Sequence, residues 1–368
     1  MVRVTVLASG SKGNCTVVTT SRTRIVIDAG LSCREIVKRM RLSGEEPEKV
    51  DAILITHEHQ DHVQGLSMMA RRWNVPVYAT EATHAAWRRW ITPRNTMSFN
   101  AWLEMRRQQA AASATGDIEL VCTDPAIDDP VFKEVEIPAI AASHQGFPAT
   151  TPLPFPTEPL DPAQSCSAPL GPEAAHEPVH EALRTAKVEL FPPDPRSDDP
   201  AFLPCIEHFR AGISFDIGDI TVTPFSIPHD AADPVGFILQ TEGLRIAIAT
   251  DLGYLPPNVR MHLRRTDLLM LESNHDLEML RDGPYPWSVK QRVLSRVGHL
   301  SNDAASEFLA NEYDGGARYV ILAHISESNN LPELARLSAE RALNGKMSLL
   351  GNKLLLASQN VPLDPIDL

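Results

Sequence analysis

Five short apolar segments of this chain each run directly into a histidine or an aspartate. Apolar runs of this length that are rich in β-branched residues are typical of buried strands. In layered α/β folds, ligands bind at the carboxyl ends of such strands. One histidine after one strand would carry little meaning, but the set predicts one shared site at one sheet edge. The segments and the residues that follow them are 24–27 with Asp28, 52–56 with His57, 220–227 with His229, 245–250 with Asp251, and 319–323 with His324.

The second segment leads into the densest group of potential metal ligands, His57-Glu-His59-Gln-Asp61-His62. Imidazole nitrogen and carboxylate oxygen are donors that zinc and manganese accept. In a tight turn, His57 and His59 can point one way while Asp61 and His62 point another, which suits two metals. A histidine-rich turn can also be a solvated surface loop. The other strand-end ligands favour the metal site.

The same patterns predict an α/β protein with two sheets, each covered by helices, and the metals at the edge between them. The predicted helices are 33–41, 63–73, 82–90, 257–263, 287–297, 302–312 and 331–343. The predicted strands are 3–8, 15–19, 24–28, 52–56, 76–79, 213–216, 219–225, 235–240, 244–250 and 319–323.

Acidic residues and prolines are concentrated in the middle of the chain. Residues 117–207 hold 17 acidic and 4 basic side chains and 17 of the 30 prolines. Such a segment cannot sustain regular elements for long. We therefore predict a single domain, 1–368, with a core at 1–100 and 206–368 and an acidic, Pro-rich, mostly irregular insertion at 101–205. The remaining residues carry 30 acidic and 30 basic side chains, so the formal net charge of −13 does not argue against a nucleic-acid partner.

The cysteines and the N-terminus indicate the compartment. The five cysteines are scattered without a Cys-x-x-Cys pair, which favours neither a disulfide framework nor a thiolate zinc site. The chain begins at once with a predicted strand, and no apolar run approaches the length of a membrane span. We therefore expect a cytoplasmic enzyme with no membrane partner. The sequence carries no signal for an oligomeric state.

The ligand pattern resembles that of the metallo-β-lactamase superfamily of binuclear hydrolases. Longer segments look like the bacterial YycJ/WalJ family, which is described as metal-dependent DNA exonucleases linked to mismatch repair. The resemblance covers roughly residues 1–95 and 208–345, and the segment between them departs from the pattern. The matching segments are Leu7-Ala-Ser-Gly-Ser-Lys-Gly-Asn-Cys15, Pro228-His-Asp-Ala-Ala-Asp-Pro-Val-Gly236, Ala249-Thr-Asp-Leu-Gly-Tyr254, Glu272-Ser-Asn-His-Asp276, Tyr285-Pro-Trp-Ser288, Gly298-His-Leu-Ser-Asn302 and Ala323-His-Ile-Ser326.

This resemblance implies a four-layer αββα metallo-β-lactamase sandwich that binds two divalent metal ions, zinc or manganese. Two such ions can clamp a phosphodiester and lower the pKa of a bridging water, which then attacks phosphorus. Asp28 is expected behind the ligands, either orienting a ligand histidine or capping a turn. The implied ligands are His57, His59 and His229 for the first ion, Asp61, His62 and His324 for the second, and Asp251 as the bridge.

The resemblance also assigns the proton transfer. His299 resembles the histidine with which tRNA 3′-processing ribonuclease (RNase Z) protonates the leaving oxygen, and Glu272 resembles its acidic partner. A helix cap near Asn302 is the structural alternative for His299. With Asp61, these two residues are the predicted catalytic residues.

A glycine-bearing turn that contains Ser9, Ser11 and Asn14 could cradle a phosphate with its backbone N–H groups. Lys290, Arg292 and Arg296 form the basic cluster best placed for a phosphate, because it immediately precedes Gly298-His299. Tyr285, Trp287 and Asn330 could stack on or hydrogen-bond a base. The predicted substrate-binding residues are Ser9, Ser11, Asn14, Asn302, Ser326 and Asn330.

Three functional classes follow. The leading prediction is a phosphodiesterase that acts as a DNA exonuclease, with DNA as its partner. The same metal centre would serve an RNase Z-like RNA-processing nuclease or a small-molecule phosphodiesterase. The third class is a non-catalytic regulatory partner, which the complete ligand set disfavours, since a decayed site would be expected to lose ligands.

Overall fold

Two seven-stranded sheets form the centre of the protein. The computed structural model describes residues 1–92, 199–343 and 352–368. The first sheet contains β1 (Arg3–Ala8), β2 (Cys15–Thr19), β3 (Arg24–Ile27), β4 (Ala52–Leu54), β5 (Val77–Thr80), β6 (Ile206–Phe209) and β14 (Ile366–Asp367). The second contains β7 (Phe215–Ile217), β8 (Ile220–Ser226), β9 (Val235–Thr241), β10 (Leu244–Ala249), β11 (Leu268–Glu272), β12 (Tyr319–Ala323) and β13 (Lys353–Leu356).

The two sheets share one pairing pattern. In the first, whose order is β14-β1-β2-β3-β4-β5-β6, pairing is antiparallel from β14 to β3 and parallel from β3 to β6. In the second, whose order is β13-β12-β11-β10-β9-β8-β7, pairing is antiparallel from β7 to β10 and parallel from β10 to β13. Strands β3 and β10 therefore occupy equivalent positions, each where antiparallel pairing changes to parallel.

Helices cover the outer face of each sheet. The chain between β3 and β6 of the first sheet contains α1 (Cys33–Leu42), a 3₁₀ turn (Pro47–Lys49), α2 (Gln60–Val63), α3 (Leu66–Trp73) and α4 (Glu81–Ile91). The second carries α5 (Pro257–His262), α6 (Leu277–Asp282), α7 (Trp287–Val293), α8 (Asn302–Asn311) and α9 (Pro332–Ala342). None of the helices in the described segments is both long and apolar enough to span a membrane.

Three layers of apolar side chains hold this arrangement together. One lies between the sheets and includes Val6, Ile25 and Phe237. A second packs helices including α1 and α3 onto the first sheet through Ile36 and Met69, and a third packs α5, α8 and α9 onto the second sheet. The predicted four-layer αββα sandwich is confirmed. Burial of both faces explains why the parallel strands are continuously apolar.

Several elements differ from the sequence prediction. The single helix predicted at 63–73 is divided into α2 and α3, and the predicted ligands Asp61 and His62 lie within α2. The division occurs at Gly65, where a Cβ atom would lie 2.3 Å from Leu31 O. The structure also contains β6, β11, α6, β13 and β14, which the prediction lacked.

The predicted insertion at 101–205 lies almost entirely outside the described residues, so its irregular character and the domain boundaries stay a prediction. Its last residues are described, and Ala201 is buried among the side chains on the outer face of the first sheet. The core therefore includes residues upstream of the predicted boundary at 206.

Substitution of Phe237 tests the packing between the sheets. Its ring is fully buried and meets Phe209 edge-on at a centroid distance of 5.8 Å. Phe237→Ala should lower the free energy of unfolding by about 3–5 kcal/mol, because it removes a buried ring and leaves a cavity. Denaturant titration measures this loss. Phe202→Ala, at a position that is 39% exposed, is the matched control, and an equal loss in both variants would contradict the prediction.

Candidate metal centre

The predicted ligands meet at the carboxyl ends of strands from both sheets. Asp28 follows β3, Asp251 follows β10 and His324 follows β12. All three have a left-handed backbone, with φ values of 60°, 61° and 53°. This conformation is costly for a residue with a side chain. It lets the chain turn sharply as each strand ends, so that the three side chains share one edge.

Backbone contacts fix the loop that carries Asp61 and His62. Asn14 N donates to Asp61 O at 2.7 Å, and Ala29 N donates to His62 O at 2.8 Å. Gly30 packs so tightly against this loop that a Cβ atom would lie 1.6 Å from Asp61 O. Only glycine fits there, and the loop cannot move away without losing both hydrogen bonds.

The first group of predicted ligands consists of His57, His59 and His229. His59 Nδ1 lies 3.1 Å from His57 Nε2 and 3.3 Å from His229 Nε2. His229 Nδ1 must carry a proton, because it lies 3.1 Å from the carbonyl oxygen of Gly298, which can only accept. The Thr56 hydroxyl donates its proton to the Asp28 carboxylate, so it accepts from His57 Nδ1 at 3.1 Å.

In the neutral imidazoles of His57 and His229, Nε2 therefore presents a lone pair. These two lone pairs converge near His59 Nδ1, which carries at most one proton and so cannot satisfy both. Burial lowers the pKa of His57 well below its ordinary value, and His62 lowers it further. Burial also lowers the pKa of His229. Both side chains are therefore neutral at physiological pH, as metal binding requires.

The second group consists of Asp61, His62, Asp251 and His324. His62 Nε2 lies 3.3 Å from Asp251 Oδ2 and 3.5 Å from Asp61 Oδ2. His324 Nε2 lies 3.6 Å from Asp61 Oδ2. The donor atoms come from both sheets and lie close enough to share one ion.

The carboxylates in and around the second group make the electrostatic potential there strongly negative. Burial alone would lower the pKa of His62, but Asp28, Asp251 and Asp61 raise it well above its ordinary value. Burial alone would raise the pKa of Asp251, but His324 and His62 hold it well below its ordinary value. This field attracts a cation, either as protons on the imidazoles or as a metal ion that replaces them.

Asp28 and Thr56 orient ligands in both groups. Asp28 Oδ2 accepts a hydrogen bond from His62 Nδ1 at 2.8 Å, which leaves His62 Nε2 facing the site. Asp28 Oδ1 accepts from the Thr56 backbone N–H at 2.9 Å, and the Thr56 hydroxyl lies 2.9 Å from Asp28 Oδ2. The same hydroxyl accepts from His57 Nδ1, as above. Asp28 thus orients a ligand histidine, and the sequence analysis missed Thr56, whose only signal is its position directly before His57.

Glu272 connects His299 to the second group. Its Oε1 accepts hydrogen bonds from His299 Nδ1 at 2.8 Å and from His324 Nδ1 at 3.0 Å. Its Oε2 accepts from the backbone N–H of Leu252 at 2.8 Å and of Leu300 at 3.3 Å. Burial would raise the pKa of Glu272, but His299 and the other donors lower it to about 2. The carboxylate is therefore ionised and holds both imidazoles with Nε2 turned away from it.

The donor set fits divalent metal ions. Two fully buried atoms, Asp251 Oδ2 and His324 Nε2, make no hydrogen bond to any residue of the described segments. Buried polar atoms normally have partners, and a divalent ion between these residues would supply one to both atoms. The combination of imidazole nitrogens with carboxylate oxygens suits zinc or manganese.

A cleft of about 330 Å³ opens over the two groups. His299 lies in its wall, with its side chain 22% exposed. Ser11 also lines the cleft, as predicted for a substrate-binding residue. Its role in binding stays a prediction.

The other predicted substrate-binding residues are buried, and their polar atoms are used within the protein. Ser9 Oγ accepts from His324 N at 2.8 Å, and Ser326 Oγ accepts from Asn329 N at 3.2 Å. Asn302 donates to Asn330 at 2.8 Å, and Asn330 donates to the carbonyl oxygens of Ser273 and Asn274, directly after β11.

Asn14, the remaining predicted substrate-binding residue, contacts the ligands themselves. Its Nδ2 lies 3.2 Å from Asp61 Oδ2 and 3.0 Å from His62 Nε2. Asn274, which the sequence analysis did not single out, donates to His324 O at 2.8 Å. These contacts position ligands.

Comparison with known proteins agrees with this site. The profile of the metallo-beta-lactamase superfamily matches residues 8–161, and that of the beta-lactamase superfamily domain matches residues 168–325. The solved metallo-beta-lactamase fold protein YhfI from Bacillus subtilis superimposes with a TM-score of 0.53 at 11% identity, covering 98% of both chains. The chain belongs to the metallo-β-lactamase superfamily and is a metal-dependent hydrolase, whose fold implies divalent metal ions.

Two curated relatives narrow the family. The chain is 28% identical over 341 residues to exodeoxyribonuclease YycJ of Bacillus anthracis, covering 93% of this chain and 89% of the relative. It is 25% identical over 336 residues to exodeoxyribonuclease WalJ of Streptococcus pneumoniae serotype 2, covering 91% and 86%. Within the superfamily, it is a member of the YycJ/WalJ family.

Asp28→Asn tests the support behind the ligands. Asparagine tolerates the left-handed backbone at this position but presents only one acceptor oxygen in place of a carboxylate. The affinity for metal should fall by about 10–100-fold, as measured by competition with a chelator. Asp51→Asn, at an exposed position before β4, is the control. Unchanged affinity in Asp28→Asn would show that this carboxylate does not tune the ligands.

Proposed function

We propose that this protein is a binuclear metal-dependent phosphodiesterase that cleaves nucleic acid, as a DNA exonuclease acting in DNA repair in the cytoplasm. The observation that carries the proposal is the position of His299. This imidazole borders the cleft over the ligand groups and is held by Glu272, which also holds His324. The names of the two relatives, both exodeoxyribonucleases, favour nucleic acid as the substrate.

In this proposal, His57, His59 and His229 would hold one ion, Asp61, His62 and His324 would hold a second, and Asp251 would contribute to both. When bound, the ions would neutralise charge on a phosphodiester and supply an activated water at neutral pH. Asp28, Thr56 and Asn14 keep the ligand atoms aimed at the site. Asp61, named as catalytic from the sequence, acts here as a ligand.

His299 supplies the proton that the leaving oxygen needs. Its Nδ1–H is held by the ionised Glu272, which leaves Nε2 to carry the transferable proton. After transfer, the neutral imidazole keeps its Nδ1 proton on the Glu272 side. A general acid of this kind contributes about 10²–10⁴-fold to rate.

The decisive assay uses end-labelled single-stranded DNA, double-stranded DNA and RNA with defined metals, and His62→Ala as the metal-site control. Progressive shortening of DNA from one end supports the exonuclease. Preferential processing of RNA would support the RNase Z-like alternative, which shares this centre. Failure to cleave any of the three by metal-loaded protein would sink the proposal. Turnover of small diesters would then favour a small-molecule phosphodiesterase, and inactivity a regulatory protein.

The ligand set predicts about two divalent ions per chain. Elemental analysis of the fully loaded protein measures this number. His62→Ala should lower it and abolish turnover while leaving the fold largely intact, because the ligands lie beyond the strands that form the core. One ion or none in the loaded wild-type protein contradicts the prediction.

His299→Ala should lower the chemical step by about 10²–10⁴-fold, because the leaving oxygen loses its proton donor. Metal content should stay at the wild-type value. Single-turnover kinetics and elemental analysis measure the two quantities, and His208→Ala, at an exposed histidine on β6, is the control.

The outcome also decides between two roles for His299. Loss of metal in the variant would make it a ligand, since ligand atoms of Asp251, Glu272, His299 and His324 lie within 4.8 Å of one another. Unchanged rates would leave His299 with a structural role.

A further inference from the structure

Helix α7 forms one wall of the cleft. Val289, Arg292 and Val293 line this wall, and the loop that carries His59 and Asp61 lines the same cleft. Among the described residues that line the cleft, Arg292 is the one lysine or arginine. A polyanionic substrate needs positive charge beyond that of the ligand groups, and Arg292 is the residue placed to supply it.

The structure separates Arg292 from the other members of its basic cluster. Lys290 is buried and donates through Nζ to Arg281 O at 2.6 Å. The guanidinium of Arg296 stacks on the ring of Tyr254, 4.5 Å from its centroid. Both side chains have partners outside the cleft, and of the three cations only Arg292 lines it.

Three hydrogen bonds tie the segment that carries Arg292 to the reacting centre. His229 Nδ1 donates to Gly298 O at 3.1 Å, and Asp230 N donates to Val297 O at 3.0 Å. His299 N donates to Val293 O at 3.0 Å. Arg292 therefore holds a set position relative to both a ligand and the proton donor.

Gly298 makes this connection tight. A Cβ atom at this position would lie 2.3 Å from Arg292 O and 2.2 Å from Val293 O. The C-terminal end of α7 thus packs directly against the backbone of Gly298, the residue before His299.

The guanidinium of Arg292 has donors to spare. Nε bonds Asp230 Oδ2, while Nη1 and Nη2 make no hydrogen bond to other residues in the described part of the chain. The side chain is 65% exposed. A solvent-exposed ion pair of this kind is weak, whereas arginine binds phosphate oxygens with two parallel N–H donors. A phosphate can therefore engage Arg292 beside Asp230 or in its place.

We propose that Arg292 binds the phosphate next to the scissile phosphodiester of a nucleic-acid strand, and that Val289 and Val293 contact the nucleoside between the two phosphates. The inference rests on the proposed function and extends it, because it makes the cleft selective for a polynucleotide strand over an isolated diester.

The test compares Arg292→Ala with Arg296→Ala, which removes the same charge from the same segment but outside the cleft. Both are assayed on an end-labelled oligonucleotide and on bis(4-nitrophenyl) phosphate, which has a single phosphodiester. Metal content and thermal midpoint are measured for each. Arg292→Lys, which keeps the charge but loses the two-donor geometry, is the conservative variant.

For Arg292→Ala, KM for the oligonucleotide should rise about tenfold, as expected for a lost hydrogen bond to a charged group, while kcat changes little. The slope of log KM against log salt concentration should decrease by about one, because one phosphate contact is lost. Hydrolysis of the small diester should fall far less. Arg292→Lys should lie between, and Arg296→Ala should behave like the wild type.

Two results would overturn the inference while the proposed function stands. One is a KM and salt dependence for Arg292→Ala that match those of Arg296→Ala. The other is an equal loss on both substrates, which would give Arg292 a role in the chemistry or the fold. A wild-type protein that hydrolyses the small diester but no nucleic acid overturns the proposed function itself, and the inference with it.

Discussion

The hydrogen bonds around the carboxylate of Asp28 are the interaction on which the site depends. Asp28 lies behind the ligands at the end of β3 and accepts from His62 and from both the backbone and the hydroxyl of Thr56. The Thr56 hydroxyl in turn holds His57. One buried carboxylate therefore fixes a histidine in each ligand group, and it does so across neighbouring parallel strands. Without it, the tautomers of both rings would be free to change.

The second sheet repeats this arrangement with a different role. Asp251 follows β10, the strand that corresponds to β3 in pairing pattern, and has nearly the same left-handed backbone as Asp28. In the first sheet the aspartate stands behind the ligands, and in the second it lies among them. The same strand-end geometry thus has two different surroundings, which depend on the neighbouring parallel strand. Beside β3, strand β4 leads into the histidine-rich loop, whereas beside β10, strand β11 ends in Glu272, which accepts from the Leu252 N–H.

Much of the sheet edge that carries the candidate metal centre could be predicted, because a buried strand and the potential ligand that follows it produce one shared sequence pattern. An apolar run that stops at a histidine or an aspartate marks both the end of a buried strand and a potential ligand, and this located Asp28, His57, His229, Asp251 and His324. The missed strand β11 obeys the same rule, since Leu268–Glu272 is an apolar run that ends in a carboxylate. Its leucines and methionine favour helix as readily as strand, and periodicity cannot separate the two in so short a run.

Hydrogen-bond partners were the part that the sequence could not supply. Ser9, Asn302 and Asn330 have the side chains of substrate-binding residues, yet all three are buried and bonded within the protein. Whether a hydroxyl or an amide faces a ligand or a backbone group depends on contacts between distant segments. Ser9 follows β1 and His324 follows β12, and these strands belong to different sheets. The two residues meet because the edges of both sheets adjoin the same site. The basic cluster around Arg292 is a second example. Its three cations are alike in the sequence, but each has a different partner in the structure.

The predicted ligands are widely separated along the chain, so they are synthesised at different times. His57 and His59 are made early, but their group lacks its third imidazole until residue 229 has been synthesised. The second group is incomplete until His324 appears, and the backbone of His324 is held by Ser9 from the first strand. A nascent chain therefore offers a divalent ion only partial coordination for most of its synthesis. The full arrangement of donor atoms therefore exists only in the finished sandwich, where segments from both ends of the chain meet.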